Sequence, residues 1–220
     1  MKNGLVVYLS FLICFTTYAQ KEADAELLLK AVADKALAYK TIQTDFEYVI
    51  ENVQTKTEEK YVGSLLLKGD KFRMSANEMV TYSDGKTRWV YLEESNEVNI
   101  SKRNNSDNLE AEERFFNNPI SLFTIYKSGF KYLKFGTETI DGKIYQLIDL
   151  SPDDINKPYF KIRCSISDSN DLFMIRYFQK DGTRISFQFK NFKTNVKIND
   201  NDFVFQVNDY PGVEVIDLRE

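Results

Sequence analysis

Two hydrophobic periods run along this chain of 220 residues. Between Ala23 and Tyr39 apolar residues recur at helical spacing, with Leu28, Ala31, Val32, Lys35, Ala36 and Tyr39 near one face. Leu27 and Leu29 widen that stripe, which predicts an amphipathic helix lying against a sheet. From Thr41 the period drops to two. Ile42, Thr44, Phe46, Tyr48 and Ile50 alternate with Gln43, Asp45, Glu47, Val49 and Glu51, as in an antiparallel strand wetted on one side.

The same alternation predicts strands at Lys60–Lys68, Lys71–Ser75, Glu78–Tyr82, Thr87–Tyr91 and Glu97–Ser101. After Gly129 it resumes at Phe130–Phe135, Thr137–Ile140, Lys143–Leu150, Tyr159–Ser167, Leu172–Lys180 and Thr183–Lys193. Val196–Ile198 and Phe203–Gln206 are short strand candidates. Asp-Gly pairs at Asp84-Gly85, Asp141-Gly142 and Asp181-Gly182 mark tight hairpins, so a meander of about eleven strands is the expected topology. In the Tyr82–Tyr91 hairpin, Thr87, Trp89 and Tyr91 fall on one strand face and Arg88, Val90 and Leu92 on the other.

Two stretches break the pattern. Asn104–Glu113 is polar and aperiodic, a loop. Asn118-Pro119 reads as a helix start, with Asn capping free backbone donors and Pro tolerated in the first turn. The helix that follows would carry Ile120, Leu122, Phe123, Ile125 and Tyr126 before Gly129. A helix apolar nearly all round needs protein or ligand on more than one side.

Composition fits one folded domain: 43% of residues are hydrophobic, 14% aromatic, and there are only 4 prolines. Met1–Gln20 has the form of a secretory leader, with Lys2, an apolar run over Leu5–Phe15, and Thr17, Tyr18, Ala19 as a small-x-small cleavage pattern. Residues 1–19 are therefore expected to be a cleaved signal peptide and 20–220 a single domain. Cys14 lacks the small residue before it that a lipoprotein signal has, so lipidation there is not expected. Net charge is −4, which argues against a nucleic-acid partner.

The mature chain would hold one cysteine, Cys164, flanked on its strand face by Ile162 and Ile166, the setting of a buried hydrophobe. The sequence contains no histidine, which removes the commonest general base and metal ligand. The carboxylate pairs Asp153/Asp154, Glu112/Glu113 and Asp200/Asp202 sit among turn residues, where backbone geometry explains them. No enzymatic role, cofactor or metal is expected. What remains is a large apolar surface within a sheet and an unusually apolar helix, a shape suited to holding an apolar ligand away from water.

The string Gly63, Ser64, Leu65, Leu66, Leu67, Lys68, then Lys71, Phe72, Arg73, then Ser83, Asp84, Gly85, Lys86, Thr87, Arg88, Trp89, Val90, Tyr91, resembles the periplasmic outer-membrane lipoprotein carriers of the LolA family. Asn118 to Phe123 is similar to that family's central helix start, and Phe203 to Phe205 with Gly212 to Val215 to its closing segment. The resemblance implies an α+β fold: an unclosed antiparallel β-barrel with an α-helical lid over a hydrophobic cavity. It implies a monomeric periplasmic carrier that receives lipoprotein acyl chains, or other lipids, from an inner-membrane ABC-type release complex and delivers them to an outer-membrane acceptor.

Phe46, Tyr48, Ile50, Leu65, Leu67, Phe72, Met74, Trp89 and Tyr91 are the expected cavity wall; Ile120, Leu122, Phe123 and Tyr126 are the expected lid. Family members often carry an arginine after the Gly63-like strand that ties lid to sheet. Here that turn reads Lys68, Gly69, Asp70, Lys71, and Arg73 is the candidate substitute. A module of the same half-barrel fold that senses lipids or peptides is the alternative reading.

Overall fold

The computed structural model describes residues 22–103, 115–127 and 129–219. The leader, Cys14, the polar loop and Glu112/Glu113 lie outside the described residues. The first helix, α1, spans residues 22–38. It buries Ala25, Leu29, Val32, Ala33 and Ala36, while Leu27 and Leu37 are exposed. The buried stripe is narrower than expected, because at 100° per residue Leu27 lies too far from the Ala25–Leu29–Val32–Ala36 line.

Twelve strands follow among the described residues, where about eleven were expected. They are β1 (Ile42–Asn52), β2 (Thr57–Lys68), β3 (Lys71–Ala76), β4 (Met79–Ser83), β5 (Thr87–Leu92), β6 (Glu97–Lys102), β7 (Phe130–Ile140), β8 (Lys143–Pro152), β9 (Tyr159–Ser167), β10 (Leu172–Gln179), β11 (Thr183–Thr194) and β12 (Glu214–Asp217). All join one sheet in the order β12-β6-β5-β4-β3-β2-β1-β11-β10-β9-β8-β7. Neighbours are antiparallel except β12, which runs parallel to β6. The end strands β7 and β12 do not pair with each other, so the barrel is unclosed. At the β7–β8 turn both Asp141 and Gly142 take positive φ, 51° and 75°, as a two-residue turn matching strand twist requires.

Val196–Ile198 and Phe203–Gln206 are not strands. Asp200–Phe203 and Val207–Asp209 are short 3₁₀ turns instead. Phe203 and Phe205 are buried nonetheless. Their alternation reflects burial rather than pairing, since β3 to β6 already have strand neighbours on both sides.

The segment after Asn118 also departs from expectation: Pro119–Lys127 is a 3₁₀ helix, not an α-helix. Its buried residues include Pro119, Leu122 and Ile125, spaced by three, the period of a 3₁₀ turn. Local chemistry favours the tighter winding. Ser121 Oγ donates to the Asn118 carbonyl at 2.6 Å and Thr124 Oγ1 to the Ser121 carbonyl at 3.3 Å. Such side chains compete for backbone acceptors, and the β-branched Ile120, Thr124 and Ile125 are poor α-helix formers.

Candidate functional site

Residues directly opposed across a sheet share a face. One row therefore runs Ile42, Leu67, Phe72, Ser83, Arg88, Ser101 from β1 to β6. A parallel row runs Thr44, Leu65, Met74, Thr81, Val90, Asn99. In the other direction Tyr48 opposes Phe187, Phe187 opposes Ile175, Ile175 opposes Cys164 and Cys164 opposes Ile148. This is the concave face, and from β8 to β3 these rows are apolar but for Thr44, whose hydroxyl donates to the Lys190 carbonyl at 2.8 Å. Burial pushes the Cys164 thiol up to about 12, so the thiol sits in the wall as an unreactive hydrophobe.

Phe46, Tyr48, Leu65, Leu67, Phe72 and Met74 are buried on this wall, and Ile50 is half-buried against it. The close seating of Phe46 depends on Gly63: a Cβ there would stand 2.4 Å from Phe46 Cζ and 2.5 Å from the Ser75 carbonyl oxygen. Leu122 and Phe123 of the 3₁₀ segment are buried in the same cluster, with Ile120 and Tyr126 packed at its margin.

Trp89 and Tyr91 lie elsewhere. Tyr82 opposes Trp89 and Val80 opposes Tyr91, on the convex side. There they join Val98, Phe205, Tyr210 and Val213 in a separate cluster. The β4–β5 hairpin places its Arg88 and Val90 side inward instead. An alternating strand with two presentable faces does not reveal which one is covered, and here the C-terminal segment covers the aromatic one.

Phe115 is the residue that sequence reasoning missed. It is fully buried, with ring centroids 5.0 Å from Phe46 and 4.4 Å from Phe187. Phe116 stands 5.8 Å from Tyr48. The signal available was an aromatic pair between an acidic run and Asn118-Pro119. These rings and the 3₁₀ segment together plug the concavity.

Arg103, at the end of β6, fastens the plug. Its Nη1 donates to the Asp70 carbonyl at 3.2 Å and its Nη2 to Asn118 Oδ1 at 2.8 Å. The guanidinium thus joins the β2–β3 turn to the first residue of the lid. Arg73, the expected substitute, points the other way, its guanidinium 5.1 Å from the Tyr82 ring on the convex side. On its flanks the lid is loosely packed. A cleft of about 190 Å³ separates it from α1 and the β2–β3 turn, and one of about 350 Å³ from the start of β7 and the β8–β9 connection. A third, of about 700 Å³, opens beside Tyr145, Leu172, Phe173, Phe189 and Phe192.

The concave wall is thus apolar and capped by an apolar segment with open flanks. A family model described as outer membrane lipoprotein carrier protein LolA matches residues 15–151. The chain belongs to the LolA family. That match ends within β8, so β9–β12 lie beyond it. No curated protein sequence matches.

Among solved structures, an uncharacterized conserved protein from Thermus thermophilus is 11% identical, with 88% of this chain and 99% of that one covered, at a TM-score of 0.54. A LolA superfamily protein from Nitrosomonas europaea is 12% identical over 82% and 97%, at 0.43. LprF from Mycobacterium bovis is 12% identical over 80% and 96%, at 0.48. The LolA-family chain shares a fold with the Thermus protein at a sequence distance where only the fold transfers. The family is one of carriers, a binding family rather than an enzyme family.

Proposed function

We propose that this LolA-family chain is a periplasmic carrier whose concave wall takes lipoprotein acyl chains in place of its own plug. The observation that carries the reading is the plug itself: Phe115, Leu122 and Phe123 bury apolar side chains in the wall, Leu122 and Phe123 from a 3₁₀ segment that is flanked by clefts and tied by Arg103 through Asn118.

Magnitudes support an exchange. Burying three such side chains is worth roughly 5–9 kcal/mol. An acyl chain of about a dozen CH₂ groups gains on the order of 10 kcal/mol on leaving water. Cargo and plug are near balance, so binding is a population shift that a partner can reverse. An enclosed empty cavity would hold lipid too tightly to release it.

On this reading Phe46, Tyr48, Ile50, Leu65, Leu67, Phe72 and Met74 line the loaded cavity. Residues 1–19 direct export, an inner-membrane ABC-type complex loads the carrier, and an outer-membrane acceptor unloads it. Lipid extraction and mass spectrometry of the protein purified from its native envelope test the core of the proposal. Acylated lipoprotein or free lipid is expected, and Leu122→Asp is expected to retain the far-UV spectrum of the sheet while altering the lipid recovered. A lipid-free protein whose Leu122→Asp variant unfolds would make the plug ordinary core.

A further inference from the structure

The concave wall changes character along a single row. Ile42, Leu67 and Phe72 are followed by Ser83, Arg88 and Ser101. Strands are spaced about 4.8 Å apart, so Arg88 stands two strands, roughly 10 Å, from Phe72. Arg88 Nε is buried and has no hydrogen-bond partner, and no carboxylate faces the guanidinium among the described residues. Burial acts alone on its pKa and lowers it.

Its surroundings are donors in search of an acceptor. Thr81 Oγ1, in the adjacent row, is buried and unpartnered. Ser83, fully buried, accepts from the Gly85 N–H at 3.3 Å, which leaves its own O–H to donate. Two residues beyond Ser101 comes Arg103, whose side chain is 7% exposed and whose Nε is also unpartnered. Among the described residues the carboxylate paired with Arg103 is Asp70, 4.0 Å away on an exposed turn.

Arg88 is partly buried, with its Nε sealed from solvent; a cation so desolvated without a counter-charge is unfavourable, and the guanidinium fork matches a carboxylate or phosphate in two parallel bonds. We infer that Arg88, with Thr81, Ser83 and Ser101, forms a receiving site for a phosphate or carboxylate group. An amphiphile laid along the row would set its chains over Ile42, Leu67 and Phe72 and its anionic head on Arg88, beside the Arg103 that fastens the plug. The chain half of this arrangement rests on the carrier reading. The oxyanion half does not.

Calorimetric titration of the full mature protein, stripped of lipid, tests it with three probes: dodecyl phosphate, dodecyl maltoside (both below micelle-forming concentrations) and inorganic phosphate. Dodecyl phosphate is expected to bind about tenfold more tightly than dodecyl maltoside, the size of one charge-assisted hydrogen bond. Arg88→Gln should erase that difference, and Arg88→Lys, which keeps the charge without the fork, should retain part of it. Removing this partly buried, unpaired charge should leave Tm unchanged or higher.

Arg88-dependent binding of inorganic phosphate alone would identify a free anion as the source and support the oxyanion site. Equal affinity for the two amphiphiles in the native protein, with no phosphate binding, overturns the inference. So does a fall in Tm for Arg88→Gln without any change in ligand preference. If neither amphiphile binds, the carrier reading fails, and the phosphate arm alone decides Arg88.

Discussion

The two aromatic clusters of this protein are built from the same alternating strands, yet they are closed in opposite ways. The concave cluster around Phe46, Tyr48 and Phe187 is covered by Phe115 and Phe116, which lead into a 3₁₀ segment with open flanks and an arginine tie. The convex cluster around Tyr82, Trp89 and Tyr91 is covered by Phe205 and Tyr210, and the tail that brings them is bolted down as β12. Backbone bonds from Glu214 N–H to the Asn96 carbonyl at 2.9 Å and from Leu218 N–H to the Ile100 carbonyl at 2.7 Å flank that strand. Tyr82 and Tyr210 add a hydroxyl pair at 2.9 Å. A cover held by sheet bonds is permanent; one held by side chains can be traded. On the carrier reading proposed above, it is the bonding of the cover, rather than the buried aromatic area, that separates binding site from core.

The largest test breaks the shared foundation of the concave wall. Phe187→Asp puts a carboxylate into a fully buried apolar and aromatic cluster, and complete loss of the folded far-UV and near-UV spectra is expected, since such burial costs more than a marginal domain can spare. A folded Phe187→Asp protein would mean that the wall is wetter than the packing shows. Next comes Gly63→Ala. Its Cβ must displace the Phe46 ring or the β3 backbone, so a loss of about 1–3 kcal/mol is expected in urea titration, with the convex cluster unaffected.

Arg103→Gln addresses the cover rather than the wall. Amide exchange within residues 119–127 should speed up about tenfold while that of 214–217 is unchanged. Uniform acceleration in both would erase the distinction between traded and permanent covers. Tyr210→Phe is the mirror experiment, costing about 1 kcal/mol through the Tyr82 hydroxyl and leaving lipid binding alone. The smallest effect concerns Asp200, which Lys68 and Lys71 hold at 2.6 and 2.8 Å and whose carboxyl is lowered to about 2. A depressed carboxyl stabilises the fold above its unfolded pKa near 4, and the contribution fades as pH falls toward 2. Acid titration of Asp200→Asn should lack that small component.

The alternation in the sequence sufficed for β1–β6 and β8–β11, but it divided β7 at Gly136, where the structure has a bulge within one continuous strand. It did not suffice for β12, whose four residues pair in parallel with a strand over a hundred positions away. Nor could it choose a face for Trp89 and Tyr91, since the residues that decide it, Phe205 and Tyr210, arrive from the far end of the chain. The plug was legible as an excess of apolar residues after Asn118. Its 3₁₀ winding was not, because that depends on Ser121 and Thr124 taking backbone acceptors. Arg103 was invisible as a tie for the same reason as β12: its partners, Asp70 and Asn118, meet only in the fold.

The position of Trp89 has a practical corollary. As the single indole of the chain, opposite Tyr82 and packed on the convex cluster that Phe205 completes, it is a built-in fluorophore aimed away from the concavity. Its emission gauges whether the tail is seated rather than whether acyl chains fill the far end of the concavity. An assay of cargo loading needs a dye placed on the plug, and the native fluorescence then serves as its internal standard.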